Sequence, residues 1–195
     1  MLENFTQPLS GFFVRDAATL APDLIGCLLR RKIGGEFISG IIVETEAYTE
    51  DDPASHSFRG RTPGNRLMFE RGGLAYVYLI YGIHNCFNVT SGLLGNGEAV
   101  LIRAVRPLEG IEYMCANRGT DKPANLCSGP GKLCQAFEID RRHNGISLVD
   151  GEIQILIPTD GNRPDIDVTK RIGITSGTDL KRRFMLKGSR WTSRR

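Results

Sequence analysis

Ile41-Ile42-Val43-Glu44-Thr45-Glu46-Ala47-Tyr48 is the stretch from which the fold of this chain is read. Side chains of a β-strand alternate between faces, so Ile41, Val43, Thr45 and Ala47 share one face and Glu44, Glu46 and Tyr48 the other. The first set suits a core. The second sets two carboxylates about 7 Å apart with an aromatic ring beside them. Two glutamates on one strand face are also what a solvated surface looks like, and taken alone they favour that reading.

Working outward, Gly34-Gly35 links this strand, over 36–48, to a preceding one over 27–33, as in a hairpin. Before them, Asp16-Ala17-Ala18-Thr19-Leu20 reads as an N-capped helix ending near Gly26. After them, a loop rich in charge, glycine and proline runs from Thr49 to Gly73. Strands return at 74–81, 84–90 and 98–105, with turn signals at Gly82 and from Gly92 to Gly97. Pro107 is placed to open a helix over about 108–117, and another short helix follows Gly129-Pro130-Gly131. The last third carries strands near 153–157 and 183–187. The fold class is α+β, with a curved, mostly antiparallel sheet flanked by short helices.

The chain has 195 residues, 41% of them hydrophobic and 24% charged, which suits one globular domain over 1–195. No apolar run reaches the roughly 20 residues that cross a bilayer. Met1-Leu2-Glu3-Asn4 lacks the basic-then-apolar order of a secretory signal, so a cytoplasmic protein without a membrane partner is expected. The five cysteines (27, 86, 115, 127, 134) form no C-x-x-C pair and the three histidines (56, 84, 143) are dispersed. That pattern argues for a reducing compartment and against a disulfide scaffold or a zinc site.

The net charge of +3 hides an asymmetry. Residues 170–195 hold nine Lys/Arg against one acid, Asp179, a net of +8, whereas residues 1–169 sum to −5. A basic end on an acidic body suits a polyanion, nucleic acid first; a solvated tail explains it equally well.

Four of the five tyrosines lie at 48, 76, 78 and 81. Strand tyrosines are usually half-buried packing residues, and their functional reading is stacking on planar rings such as nucleobases. Asn88 and Arg103 interrupt apolar strands and need partners; Arg103 is suited to Glu44 or Glu46.

Six motifs occur in a fixed order: Glu44-Thr45-Glu46-Ala47-Tyr48, Ala54-Ser55-His56-Ser57, Thr62-Pro63-Gly64-Asn65-Arg66, Tyr76-Val77-Tyr78-Leu79-Ile80-Tyr81-Gly82, Leu126-Cys127-Ser128-Gly129-Pro130 and Gly188-Ser189-Arg190-Trp191. The series, spanning about Phe12 to Trp191, resembles the alkyladenine (3-methyladenine) DNA glycosylase family of the mammalian type, in a compact bacterial-length form. There are departures. The spacing from Tyr48 to His56 is one residue shorter than in the animal enzymes. Gly64 stands where that family has a basic residue, and His84 where it has an aromatic one.

The resemblance implies an open-barrel-like sheet and a monofunctional enzyme of base excision repair. It would rotate alkylated or deaminated purines (3-methyladenine, 7-methylguanine, hypoxanthine, ethenoadenine) out of double-stranded DNA and hydrolyse the N-glycosidic bond, leaving an abasic site. By resemblance, Glu46 is the general base that activates water, and Arg103 helps hold that water, as does the main-chain carbonyl of Ile172. The extruded base would stack between Tyr48 on one side and His56 with Tyr78 on the other. Asn88 would clash with the amino group of guanine. Tyr81 would fill the gap left in the duplex. Arg59, Arg61, Arg66 and the basic C-terminal stretch are candidates for phosphate contacts. A monomer is expected, and no metal or organic cofactor is implied. Two other readings compete: a non-catalytic damaged-DNA or RNA-binding module, which needs no water-activating carboxylate, and a hydrolase of free nucleosides, which needs no wedge at Tyr81.

Overall fold

The computed structural model describes residues 4–9 and 11–193. Met1, Leu2, Glu3, Arg194 and Arg195, used above for the N-terminal and charge readings, lie outside the described residues. Nine strands form one antiparallel sheet: β1 (Phe5–Thr6), β2 (Leu28–Ile33), β3 (Glu36–Tyr48), β4 (Ala75–Ile80), β5 (His84–Thr90), β6 (Ala99–Glu109), β7 (Ile153–Pro158), β8 (Ile166–Thr169) and β9 (Arg183–Leu186). The helices are α1 (Ala17–Asp23), α2 (Ile111–Arg118), α3 (Pro123–Leu126) and α4 (Pro130–Ala136). The strand order is β1-β7-β2-β3-β6-β5-β4, and β9 joins β3 to β8, so the sheet forks and does not close. Among the described residues no helix is long and apolar enough to cross a membrane.

β3 causes the fork. One edge pairs with β6 from Ser39 to Tyr48; the other pairs with β2 up to Ile41 and then with β9 from Glu44 to Glu46. Where β2 gives way to β9, the β3–β6 register slips at Val43 and returns after Arg103. Such a bulge bends a strand and strengthens its twist.

The bulge also corrects the simple alternation. Ile42 and Ala47 sit in the main core, and Thr45 Oγ1 donates to the Ala21 carbonyl of α1 at 2.8 Å. Ile41 and Val43 belong instead to a second cluster with Leu28, Ala104 and Leu156. The phase of the strand therefore changes at Val43–Glu44, and the faces predicted from strict period two hold only beyond it. The solvated-face reading falls too: Glu44 and Glu46 are both 0% exposed, because β9 and the segment ending at Ser193 cover them.

The other predicted strands and helices are present with shifted ends. Asp16 caps α1, its Oδ1 accepting from the Thr19 N–H at 2.9 Å. Pro107 does not open a helix. It lies inside β6, opposite Gly40 at a register irregularity, where the missing N–H is tolerated. The helix starts at Ile111 after Gly110, whose φ of 68° favours glycine. β1, β8 and the one-turn α3 were not expected from the sequence.

Candidate active site

One large cleft, about 730 Å³, opens beside β3, β4, β5 and β6. Its walls include Tyr48, His56, Tyr78, Tyr81, Asn88, Arg103 and Ile172, so the residues expected to handle the base and the water border one space, Glu46 excepted; Glu44, Arg59, Arg61 and Arg66 do not line it. Glu46 lies directly behind that wall. Its Oε2 accepts from the Tyr48 hydroxyl at 2.9 Å and from Arg103 Nη1 at 3.1 Å, and its Oε1 from the Ile172 N–H at 2.9 Å. Ile172 therefore meets Glu46 through its amide N–H.

Burial raises the pKa of the Glu46 carboxyl, against the opposing pull of Arg103, the Ile172 N–H and Tyr48; neighbouring Glu44 pushes it further up. Burial alone would lower the Arg103 pKa, but Glu46 and Glu44 more than reverse that, so the guanidinium stays charged. Arg103 does not choose between the two glutamates: its Nε donates to Glu44 at 3.0 Å while Nη1 serves Glu46.

The aromatic side of the cleft is built by local contacts. The His56 and Tyr78 rings meet edge to face at 4.5 Å. His56 Nδ1 is 2.8 Å from the Tyr76 hydroxyl, and partial desolvation among these rings lowers the imidazole pKa, which keeps it neutral near pH 7. The backbone under His56 is held from the next motif, since Asn65 Nδ2 donates to the His56 carbonyl at 2.7 Å and Asn65 Oδ1 accepts from the Thr62 N–H at 2.6 Å. Asn88 is buried at the cleft wall, with its Nδ2 donating to the Tyr76 carbonyl at 2.9 Å, so its amide is fixed in place.

Tyr81 is 78% exposed at the β4–β5 turn, in the left-handed region at φ 53°, followed by Gly82 at 72°. A bulky residue there is strained, and strain kept in an exposed turn is a pointer to function.

Sequence reading missed four participants. Tyr76 holds His56. Arg171 places its guanidinium 4.7 Å from the Tyr48 ring centroid, pairs with Asp52 and donates to the Ala47 carbonyl at 3.1 Å. Arg183 and Ser193 reach Glu44. Only Tyr76 had a signal, its shared strand face with Tyr78; the others come from sites more than 100 residues apart.

The basic C-terminal set is divided. Arg171 and Arg183 are buried on Asp52 and Glu44, Lys170 pairs with Asp179, and Lys181, Lys187 and Arg190 remain exposed. Arg59, Arg61 and Arg66 are exposed, Arg61 pairing with Glu70 at 3.0 Å.

The model of the family described as methylpurine-DNA glycosylase matches residues 11–190. The chain belongs to the methylpurine-DNA glycosylase family. Three relatives agree, each named as a 3-methyladenine DNA glycosylase. The one from Methanoculleus marisnigri is 51% identical over 193 residues, 95% of this chain and 98% of its own length. That from Carboxydothermus hydrogenoformans is 46% identical, covering 94% and 97%. That from Francisella tularensis subsp. tularensis is 44% identical, covering 90% and 92%. As a member of this family the chain is a DNA glycosylase of DNA repair, a hydrolase of N-glycosyl bonds whose substrate is DNA.

Proposed function

We propose that this methylpurine-DNA glycosylase acts as a monofunctional, monomeric, single-domain cytoplasmic enzyme on alkylated and deaminated purines of duplex DNA, with Glu46 as the general base. The observation that carries the reading is the buried Glu46 carboxylate held by Arg103, Tyr48 and the Ile172 N–H behind an open aromatic cleft. Glu44 is the poorer candidate, because besides Arg103 its partners are Arg183 and Ser193, neither of which lines the cleft, whereas all three partners of Glu46 do.

The damaged nucleotide rotates out of the helix, since the bond to be cut is inaccessible in a stacked duplex, and Tyr81 fills the space it leaves. The purine stacks between Tyr48 and the His56–Tyr78 pair, where an electron-poor or cationic ring gains most from aromatic faces. The fixed Asn88 amide excludes guanine through its exocyclic amino group. A water held by Glu46, Arg103 and the Ile172 carbonyl gives its proton to Glu46 and attacks the anomeric carbon as the purine departs. A cationic 3- or 7-alkylpurine leaves without further help, whereas hypoxanthine and ethenoadenine also need a proton. Arg59, Arg66, Lys181, Lys187 and Arg190, all exposed, are the candidates for phosphate contacts.

The test is base release from duplex DNA in EDTA by the wild type and by Glu46→Gln, on methylated DNA and on oligonucleotides with one hypoxanthine or ethenoadenine. Release by the wild type alone, with duplex binding intact in both, supports the reading. Equal release by Glu46→Gln removes Glu46 from the reaction.

A further inference from the structure

The side of Arg103 that faces away from Glu46 is built with as much care as the side that meets it. Glu44 Oε1 accepts from Arg103 Nε at 3.0 Å, from Arg183 Nε at 2.7 Å and from the Ser193 hydroxyl at 2.7 Å, and its Oε2 from the Ser193 N–H at 2.5 Å. Ser193 binds back. Its hydroxyl oxygen accepts from Arg103 Nη2 at 3.2 Å, and its carbonyl from Arg183 Nη2 at 3.3 Å. The three nitrogens of Arg103 thus have one partner each: Nε on Glu44, Nη2 on Ser193 and Nη1 on Glu46.

We infer that Glu44, Arg183 and Ser193 are positioning residues, a clamp closed by the C-terminal segment that fixes Arg103 with its Nη1 on Glu46. The inference rests on Glu46 being the base. Two carboxylates and two guanidinium groups balance in a buried space where an uncompensated charge is costly. Without Arg183, Glu44 and Glu46 compete for one cation, and Glu46 keeps its proton to higher pH. Without the Ser193 hydroxyl, Glu44 loses a donor and Arg103 Nη2 its acceptor, and the same effect follows on a smaller scale. A structural brace for the chain end would contribute stability without touching the ionisation of Glu46.

The charged and titratable groups around Glu46 are Glu44 and Tyr48 from β3, Arg103 from β6 and Cys86 from β5, with Arg183 from β9 behind Glu44 and Arg171 behind Tyr48. The clamp variants alter only the Arg183 and Ser193 contacts among these.

That test is single-turnover release of an N7-methylated, cationic purine from duplex DNA between about pH 5 and about pH 9, where no leaving-group proton complicates the acid side. Arg183→Gln is expected to move the acid limb up by about one pH unit, about a tenfold loss on the limb, with the alkaline plateau recovered to within a few-fold. Ser193→Ala moves it the same way by less, and Arg183→Lys restores part of the shift. A limb at the wild-type position in both variants, or a loss uniform across pH, overturns the clamp. If Arg183→Gln does not fold by circular dichroism, Ser193→Ala, which removes one hydroxyl, decides alone. Glu46→Gln separates the two ideas: retained activity defeats the base assignment, whereas an inactive Glu46→Gln with unshifted limbs defeats the clamp only.

Discussion

The floor and the rim of the cleft are built on opposite terms. On the floor, Glu44, Glu46 and Arg103 are buried, each carboxylate oxygen has a donor, and the bonds come from four separate stretches of chain. At the rim, Tyr81 and Ile83 are 78% and 71% exposed on a short turn whose backbone at Tyr81 lies in the left-handed region. The floor spends many interactions to fix one charge, and the rim accepts backbone strain to display one ring. Water activation needs preorganised charge in a dry place. Entry into a duplex needs an apolar side chain that no neighbour has already covered.

The largest effect that tests this contrast is expected from Glu46→Gln. Loss of a general base lowers the chemical step by about 10²–10⁴-fold, while affinity for lesion-containing duplex stays within a few-fold of wild type. Single-turnover release and equilibrium binding on the same oligonucleotide check it. A fall in affinity as large as the fall in rate would make the floor a binding surface.

The pH dependence follows from the same site. Burial raises the Glu46 carboxyl above its ordinary value of 4.5, only partly offset by Arg103, the Ile172 N–H and Tyr48. A base acts when ionised, so release of a cationic purine is expected to rise with pH through that raised value, level off above it, and be lost as pH falls through it. The rate profile of the wild type measures this directly. A midpoint at or below the ordinary carboxylate range would mean that the arginine outweighs burial.

At the rim, Tyr81→Ala is expected to act on duplex engagement. Unstacking a nucleotide costs a few kcal/mol, of which an inserted ring recovers part, so release from duplex should fall by about tenfold or somewhat more. The same lesion in a single strand, which has no gap to fill, should lose only a few-fold. Equal losses on both substrates would assign Tyr81 to the cleft wall.

The sequence carried the rim and the walls better than the floor. Tyr81-Gly82, the Tyr76–Tyr78 face and the alternating β3 are local patterns, and β3 was legible from Glu36 to Tyr48. The bulge at Val43 was not, because it arises where β3 changes partner from β2 to β9, strands far apart in the chain. Burial of Glu44 was hidden for the same reason: Arg183 and Ser193 lie 139 and 149 residues away. The +8 segment read as one basic surface, yet Arg171 and Arg183 face inward on acids that charge counting cannot pair with them. Pro107 reads locally as a helix start, but the long β6 ladder with β3 takes it into the sheet.

The smallest effect expected has the opposite sign for stability and for activity. Tyr81 holds a left-handed conformation that costs a non-glycine residue about 1–2 kcal/mol and that asparagine adopts more readily. Its ring is exposed, so replacing it sacrifices little packing. Tyr81→Asn should therefore raise the melting temperature by about 2–4 °C, as about 1 kcal/mol does for a chain of this length, while lowering release from duplex DNA about as much as Tyr81→Ala. Substitutions that disturb the floor, such as Arg183→Gln, should lower melting temperature and activity together. A thermal melt of Tyr81→Asn against wild type decides the point. An unchanged or lower melting temperature would mean that the ring is held by contacts worth the strain, and the rim would then be built on the same terms as the floor.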